Sequence, residues 1–380
     1  MRLYEFEAAS LFRQEGVPVP DFAIADSPRQ ARQAAEKIGF PVVIKAQVLS
    51  GGRGLAGGVQ TADSPEQAEA IAGRVLKSAI RGLPVNRVMV VPKAAVAREF
   101  YLGVTIDGVV GCPVVIMSTA GGVDIEETSR NHPEKVTSCQ VPILSGLSLP
   151  QAEKMARKTG LTADESSRMA DILHKLYNVF RKSEATIAEI NPLALTTKGD
   201  YLALDAKMEI DDSALFRHPE LKISPEDRIA SPLEKKGRQI GVTYVELDGE
   251  VGIISTGAGL GMATMDIINQ RYRPANFLET GGGISEELLY QVMELVMQKK
   301  GLRAVFINLL GGINPIHEGA KGIVRFLQSH PTDIPVFARV MGNRQEETRQ
   351  ILRGGGVEVV TDVATEQCMA HLFQRLGGGR

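Results

Sequence analysis

Hydrophobic and polar positions keep two different rhythms in the two halves of this chain. Before residue 230, runs rich in β-branched and apolar residues at Val42 to Val48, Arg87 to Val91, Glu99 to Ile106 and Pro113 to Ser118 predict strands. The wider apolar spacing over Pro28 to Lys37, Pro65 to Ser78 and Ala163 to Phe180 predicts helices. Two more β segments, Ala185 to Leu195 and Tyr201 to Met208, flank Lys198-Gly199-Asp200 and predict a hairpin. Hairpins dominate, so this half reads as α+β.

Beyond that point the alternation becomes regular. Strands are predicted at Val251 to Ser255, Ala275 to Leu278, Ala304 to Leu310, Pro335 to Val340 and Val357 to Thr361. Helices fall between and after them, at Met262 to Asn269, Ser285 to Gln298, Glu318 to Ser329, Arg344 to Leu352 and Ala364 to Leu376. Such alternation predicts a doubly wound parallel sheet. Between the halves, Phe216 to Pro232 carries three prolines and alternating charges and reads as a linker. The chain is thus an α/β protein divided at 1–228 and 229–380.

Composition narrows the class. With 380 residues, 43% of them hydrophobic, the chain is large enough for two or three cores. The 43 basic and 45 acidic residues leave a net charge of −2, so no global field recruits nucleic acid or a membrane surface. No apolar run reaches the length of a membrane span, and Met1 leads into an amphipathic helix rather than a signal or transit segment. Cys112, Cys139 and Cys368 are odd in number, far apart and without zinc spacing, which predicts a reducing, cytoplasmic setting. The one biased tract is the tail Gly377-Gly378-Gly379-Arg380.

Candidate chemistry collects at two places in the first half. Lys45 stands in an apolar β run and is followed by Ser50-Gly51-Gly52-Arg53-Gly54-Leu55-Ala56-Gly57-Gly58. Glycines let backbone N–H groups approach phosphate oxygens, and an arginine can fork onto them, so Lys45, Gly52 and Arg53 are phosphate-binding candidates. The loop matches neither the P-loop nor the dinucleotide glycine fingerprint. On the hairpin, Asn191 in Glu189-Ile190-Asn191-Pro192-Leu193 and Asp205 are expected to be cross-strand neighbours. An oxygen pair on a rigid ribbon suits Mg²⁺, which keeps waters and takes phosphate oxygens as further ligands.

These motifs resemble one family across essentially the whole chain. Leu3-Tyr4-Glu5-Phe6-Glu7-Ala8, the loop Gly51 to Gly58, Glu99-Phe100-Tyr101-Leu102-Gly103, Glu189 to Leu193 and Ala214-Leu215-Phe216-Arg217 are similar to the β subunits of succinate-CoA ligases. So are Gly257-Ala258-Gly259-Leu260, Thr264-Met265-Asp266 and Pro274-Ala275-Asn276-Phe277-Leu278. The resemblance implies an ATP-grasp α+β domain followed by a flavodoxin-like ligase domain. It assigns Lys45, Gly52, Arg53, Gly54 and Glu99 to ATP or GTP, Asn191 and Asp205 to Mg²⁺, and Glu189 to orienting the phosphoryl acceptor as the candidate catalytic carboxylate. A lysine-paired structural carboxylate is the alternative for Glu189. In the family the acceptor is a histidine of a separate α subunit, which also binds coenzyme A. An αβ heterodimer or a heterotetramer built from two such pairs is therefore expected.

None of the six histidines occupies the phosphohistidine position of that family. His132, His174, His218, His330 and His371 read as surface or capping residues, while His317, near the glycine loop Gly311-Gly312-Ile313-Asn314-Pro315, is a candidate substrate contact. Three glycine turns, at Gly257, Gly281 and Gly311, each join a predicted strand to a helix at the sheet's carboxyl edge, where helix N-termini favour anions. By the resemblance, Thr256, Gly312, Ile313 and Asn314 contact the carboxylic acid.

The departures from the family cluster at that place. Thr256 replaces an asparagine, and Asn314-Pro315-Ile316-His317 replaces a stretch that holds an arginine. Leu55, Ala120 and Val91 replace a lysine and two acids in the nucleotide half. Succinate, malate or another small acid is thus the expected substrate. Readings of other kinds are a stand-alone ATP-grasp carboxylate-amine ligase, which needs no α subunit, and a non-catalytic regulatory subunit.

Overall fold

The computed structural model describes residues 1–229 and 231–377; Ala230 of the linker and the last three residues of the glycine-rich tail lie outside them. The chain forms two compact units, Met1–Ile223 and a second from Ser224 onward.

The first unit holds two large antiparallel sheets and a two-stranded one, Ala79–Ile80 with Leu83–Pro84. One large sheet has the order Ala23–Ala25, Val88–Pro92, Val42–Ala46, Val59–Ala62. Helices Pro28–Ile38 and Pro65–Val75 cover it. Each begins with a serine cap, Ser27 or Ser64, whose hydroxyl accepts a backbone N–H, and each has proline in its first turn. Apolar faces of these elements share one core around Val42, Ile44, Val88 and Val90. The other sheet has the order Tyr201–Ala203, Ala185–Thr196, Val96–Asp107, Cys112–Ser118, Val136–Gln140, with Lys207–Ile210 also paired to Ala185–Thr196. Helices Glu5–Gln14, Leu149–Lys158 and Ala163–Lys182 share its core, where Phe12, Phe100, Leu102, Met117, Leu173, Leu176 and Ile190 are buried.

The predicted hairpin forms, with Gly199 in its turn at φ 87°. One predicted segment breaks, however. Tyr201 to Met208 is not a single strand: Leu204 to Ala206 leave the ladder between Tyr201–Ala203 and Lys207–Ile210. There the Leu204 carbonyl turns to the Lys45 ammonium, and Asp205 turns to Arg53. The linker is not featureless either, since it winds through the 3₁₀ turns Asp212–Arg217, Pro219–Leu221 and Pro225–Arg228.

In the second unit the sheet order is Thr243–Glu246, Asn276–Glu279, Val251–Ser255, Ala304–Gly311, Val336–Gly342, Glu358–Val360. Every pair is parallel except the first, whose edge strand runs antiparallel. Side chains of Ala304–Gly311 alternate between two cores. Ala304 and Phe306 join helices Ala258–Ile268 and Thr365–Arg375, while Val305, Ile307 and Leu309 join Glu286–Met297 and Ile316–Ser329. Burial on both faces explains the unbroken apolar run in the sequence. The strand order reverses between Val251–Ser255 and Ala304–Gly311, which puts the topological switch point, and hence the ligand crevice, at their carboxyl ends. Thr256 and the glycine loop at Gly311 occupy those two ends.

Candidate active site

One buried carboxylate organises the phosphate side of the first unit. Glu5 begins helix Glu5–Gln14 on the face that also buries Ala8, Ala9 and Phe12, and it is only 4% exposed. Its Oε1 lies 2.7 Å from Lys45 Nζ and its Oε2 lies 2.6 Å from Arg53 Nη1. Arg53 spends its other terminal nitrogen on Asp205 Oδ1, at 2.7 Å. Lys45 and Arg53 are each 9% exposed, so the two cations and Glu5 are nearly dry, while the Asp205 side chain is 39% exposed. Gln47 supports it, donating to Glu5 Oε2 at 3.2 Å while accepting from the Phe6 N–H at 3.2 Å.

The two carboxylates titrate in opposite directions. Burial alone would raise Glu5, but the adjacent charges of Lys45 and Arg53 outweigh it and hold the carboxyl below its ordinary range. Asp205 is raised, first by its enclosure and then by the Glu5 charge, against the opposing pull of Arg53 and Lys45. Part of the Asp205 side chain nevertheless reaches the cleft that Glu5, the Val48 to Arg53 segment and Asp205 to Glu209 line. Gly52 in that segment has φ 71°, and the guanidinium of Arg81 lies where a β-carbon would be, its Nη2 2.6 Å from that point. The positive φ favours glycine there, whereas the Arg81 guanidinium, at the end of a flexible side chain, could give way.

Asn191 and Glu189 open onto a second cleft with Tyr101, Asp124, Glu126 and Lys207. Asn191 Oδ1 accepts from the Gly122 N–H at 2.8 Å and its Nδ2 donates to the Val123 carbonyl at 3.1 Å. Glu189 accepts from Lys207 Nζ at 3.0 Å, the lysine pairing that was its structural alternative. The cross-strand pairs Glu189–Lys207 and Leu193–Ala203 bracket Asn191 and Asp205, which by count fall at the same level. Although level with each other on the hairpin, the two line different clefts, Asn191 the second and Asp205 the first; both are hard oxygen donors of the kind Mg²⁺ takes. Lys207 borders both clefts. Gly54 and Glu99 line neither; Glu99 instead holds the Gly121–Gly122 turn through its carbonyl, which accepts from Gly121 N at 3.1 Å.

The second unit gathers its candidates at the switch point. Thr256 Oγ1 accepts from Leu310 N at 2.8 Å and donates to Leu310 O at 3.2 Å, tying the end of Val251–Ser255 to the end of Ala304–Gly311. Ile313 is 98% exposed at the loop tip. The Asn314 side chain faces Gly282 of the neighbouring glycine turn. Beneath this edge a buried polar chain fixes the strands: Asn308 donates to Thr264 Oγ1 at 2.8 Å and accepts from Arg339 at 3.0 Å. His317 sits in the first turn of helix Ile316–Ser329, which starts two residues before its predicted beginning.

Sequence reasoning assigned no role to Glu5. The signal was available, because Glu5, Ala8, Ala9 and Phe12 follow i, i+3, i+4, i+7 spacing, and a charge on an apolar helix stripe needs a buried partner. Arg81 and Arg344 were also missed; nothing local in the sequence marks either.

Comparison with known proteins agrees with both halves. Residues 2–195 match the ATP-grasp domain family and residues 254–372 match the CoA-ligase family. The β subunit of an ADP-forming succinate–CoA ligase from Roseiflexus sp. (strain RS-1) is 41% identical over 354 residues, covering 93% of each chain. That of a GDP-forming enzyme from Thermus thermophilus is 41% identical over 355 residues, 93% of this chain and 94% of the relative. An ADP-forming relative from Rubrobacter xylanophilus is 38% identical over 99% of this chain and 97% of its own. In fold, the chain resembles the structure of ATP citrate lyase from Methanothrix soehngenii in complex with citrate and coenzyme A, with a TM-score of 0.76, 17% identity and 98% and 99% coverage. The chain therefore belongs to the family of succinate–CoA ligase β subunits, the nucleotide-using subunits of acid–CoA ligases.

Proposed function

We propose that the chain uses ATP or GTP to phosphorylate a histidine of a separate α subunit, and that the phosphoryl group then passes to a small carboxylic acid to form its coenzyme A thioester. The observation that supports this most is the pairing of Lys45 and Arg53 around Glu5 beside the glycine loop, two largely buried cations held in fixed positions. Phosphoryl transfer asks chiefly for positioning and charge neutralisation, which two preorganised cations supply at little reorganisation cost. Asn191 and Asp205 would hold Mg²⁺, which when bound adds charge neutralisation on the phosphate oxygens. Glu189, two residues before Asn191 on the same strand face, would orient the incoming histidine, its carboxylate steadied by Lys207. Gly54 and Glu99 would complete the nucleotide site.

Residues 1–228 would carry out this first half-reaction and residues 229–380 the second. At the switch point, the N–H groups opening Ala258–Ile268 and Ile316–Ser329 suit a phosphoryl or carboxylate group, and Thr256, Gly312, Ile313 and Asn314 would line the acid. Splitting the ligation into phosphohistidine, acyl phosphate and thioester steps replaces one hard reaction with easier ones. Coenzyme A would be bound by the α subunit. Exposed Met262, Leu310, Ile313 and Val363 on the second unit supply apolar surface for that partner, in a heterodimer or heterotetramer. Among the described residues no helix is long and apolar enough to cross a membrane, and we place the enzyme in the cytoplasm.

Succinate is the first acid to try, and malate the nearest rival because Thr256 spends its hydroxyl on Leu310 instead of offering an amide. The test is thioester formation by the chain co-expressed with its cognate α subunit, screened over small acids with ATP and GTP. Turnover that requires the α subunit supports the reading, and equal turnover without it contradicts the reading.

A further inference from the structure

Five loops connect strands to helices at the carboxyl edge of the second unit's sheet, at residues 256–257, 280–285, 312–315, 343–344 and 361–364. Arg344 is the only lysine or arginine among them. Its backbone is left-handed, at φ 54° and ψ 31°, a conformation that residues bearing a β-carbon adopt at a cost. The loop before it explains how that is held. Asn343 N donates to Gly311 O at 2.7 Å, and Gly342, at φ 100°, lies so close that a β-carbon would be 2.1 Å from the same oxygen. Arg344 is thereby locked against the glycine loop that carries Gly312 and Asn314.

The guanidinium is aimed as well. Arg344 Nη1 lies 2.6 Å from His317 Nε2, and Nε pairs with Glu347 at 2.9 Å; Nη2 has no partner among the described residues. For Nε2 to accept from a guanidinium, His317 must carry its proton on Nδ1. That Nδ1 is buried without a partner, in a side chain only 8% exposed. Glu318 Oε1 is also 3.2 Å from Nε2, but it has Lys321 at 2.7 Å for a partner. A buried polar group left unpaired is costly, and here its other nitrogen holds a half-exposed arginine in one orientation. His317 is a positioning residue in this arrangement.

The place of this cation in the sheet defines what it meets. The helix N-termini at the switch point flank Val251–Ser255 and Ala304–Gly311, whereas Arg344 follows Val336–Gly342, one strand further along. Adjacent strands lie roughly 5 Å apart, comparable with the span between the two ends of a short dicarboxylate. We propose that Arg344 is the specificity-determining cation of the ligase site and that the acid it reads carries a second carboxylate, remote from the one being activated. The guanidinium fork matches a carboxylate in a bidentate way.

This rests on the acid–CoA ligase reading, and one set of assays separates the two. The chain, co-expressed with its cognate α subunit, is compared with R344Q, a substitution at a side chain that is 53% exposed and spares the core. For matched pairs of acids with and without the second carboxylate, such as succinate and butyrate, the ratio of kcat/KM values is measured. Loss of a charge-assisted contact should lower the diacid-to-monoacid ratio by about tenfold to a hundredfold in R344Q, mainly through the KM of the diacid. An unchanged ratio, or a wild type that prefers the monoacid, overturns the assignment of Arg344. ATP-dependent phosphohistidine formation on the α subunit, assayed in the wild type without any acid, reports on the underlying reading: its absence removes that reading, while its presence with an unchanged ratio removes only the role of Arg344.

Discussion

Glu5 reaches Arg53 across 2.6 Å while holding Lys45 with its other oxygen, so a single residue at the start of the first helix pairs with both buried cations. Replacing it by glutamine leaves the buried Lys45 without its carboxylate partner and Arg53 with Asp205 alone. Removing one partner of a buried ionic cluster costs about 3–5 kcal/mol. E5Q is expected to lose stability of that order in urea unfolding. Phosphate oxygens would take the place of the lost carboxylate, so ATP should raise the melting temperature of E5Q by more than it raises that of the wild type.

The pH dependence follows from the same cluster. The Glu5 pKa is lower folded than unfolded, so its contribution to stability is present above the unfolded value, about 4.3, and is lost as pH falls through the folded one. The stability gap between wild type and E5Q should be full near neutrality and shrink as pH falls below about 4. Urea midpoints of both proteins across that range check it. A gap independent of pH would mean that the Glu5 charge is not what stabilises the cluster.

Asp205 carries the opposite sign. Its pKa is raised in the folded state, so its ionised form costs stability at neutral pH and the cost is relieved as pH falls through the folded value. D205N should therefore keep or slightly raise the melting temperature while lowering the rate of phosphohistidine formation by about a hundredfold or more, the scale for removing a preorganised charge-stabilising group. A destabilised D205N with normal activity would reverse both parts of the argument.

Thr256 joins two strand ends through the N–H and the carbonyl of Leu310. T256V keeps the shape and removes both bonds at a partly exposed position, so the stability loss should be about 1 kcal/mol. Acid preference should move more than stability does if, as proposed, the acid rests against the wall that this hydroxyl fixes. T256N offers an amide at the same point; KM values over a panel of small acids would show whether succinate gains relative to malate.

Much of this was legible in the sequence because the physics is local. The both-faces-buried run of Ala304–Gly311 and its alternation with helices announced the parallel sheet, and the glycine turns marked its carboxyl edge. Lys45, Arg53 and Asp205 stood out as polar residues in places that need a reason, and the structure joins all three in one ion-paired cluster through Glu5. The break at Leu204 to Ala206 was not legible, since the groups that meet it, the Lys45 ammonium and the Arg53 guanidinium, come from the strand Val42–Ala46 and the loop that follows it. Arg344 was hidden for a similar reason. Its importance comes from a left-handed backbone and a histidine 27 residues away in sequence.

The most direct test of the account follows labelled phosphate. The chain and its cognate α subunit are mixed with ATP labelled at the γ-phosphate and Mg²⁺, with no acid and no coenzyme A, and the α subunit is examined for phosphohistidine. The account predicts that label accumulates there, is absent in K45A and D205A mixtures, and is chased into free phosphate with thioester formation once acid and coenzyme A are added. Label that never reaches the α subunit while thioester still forms would contradict it.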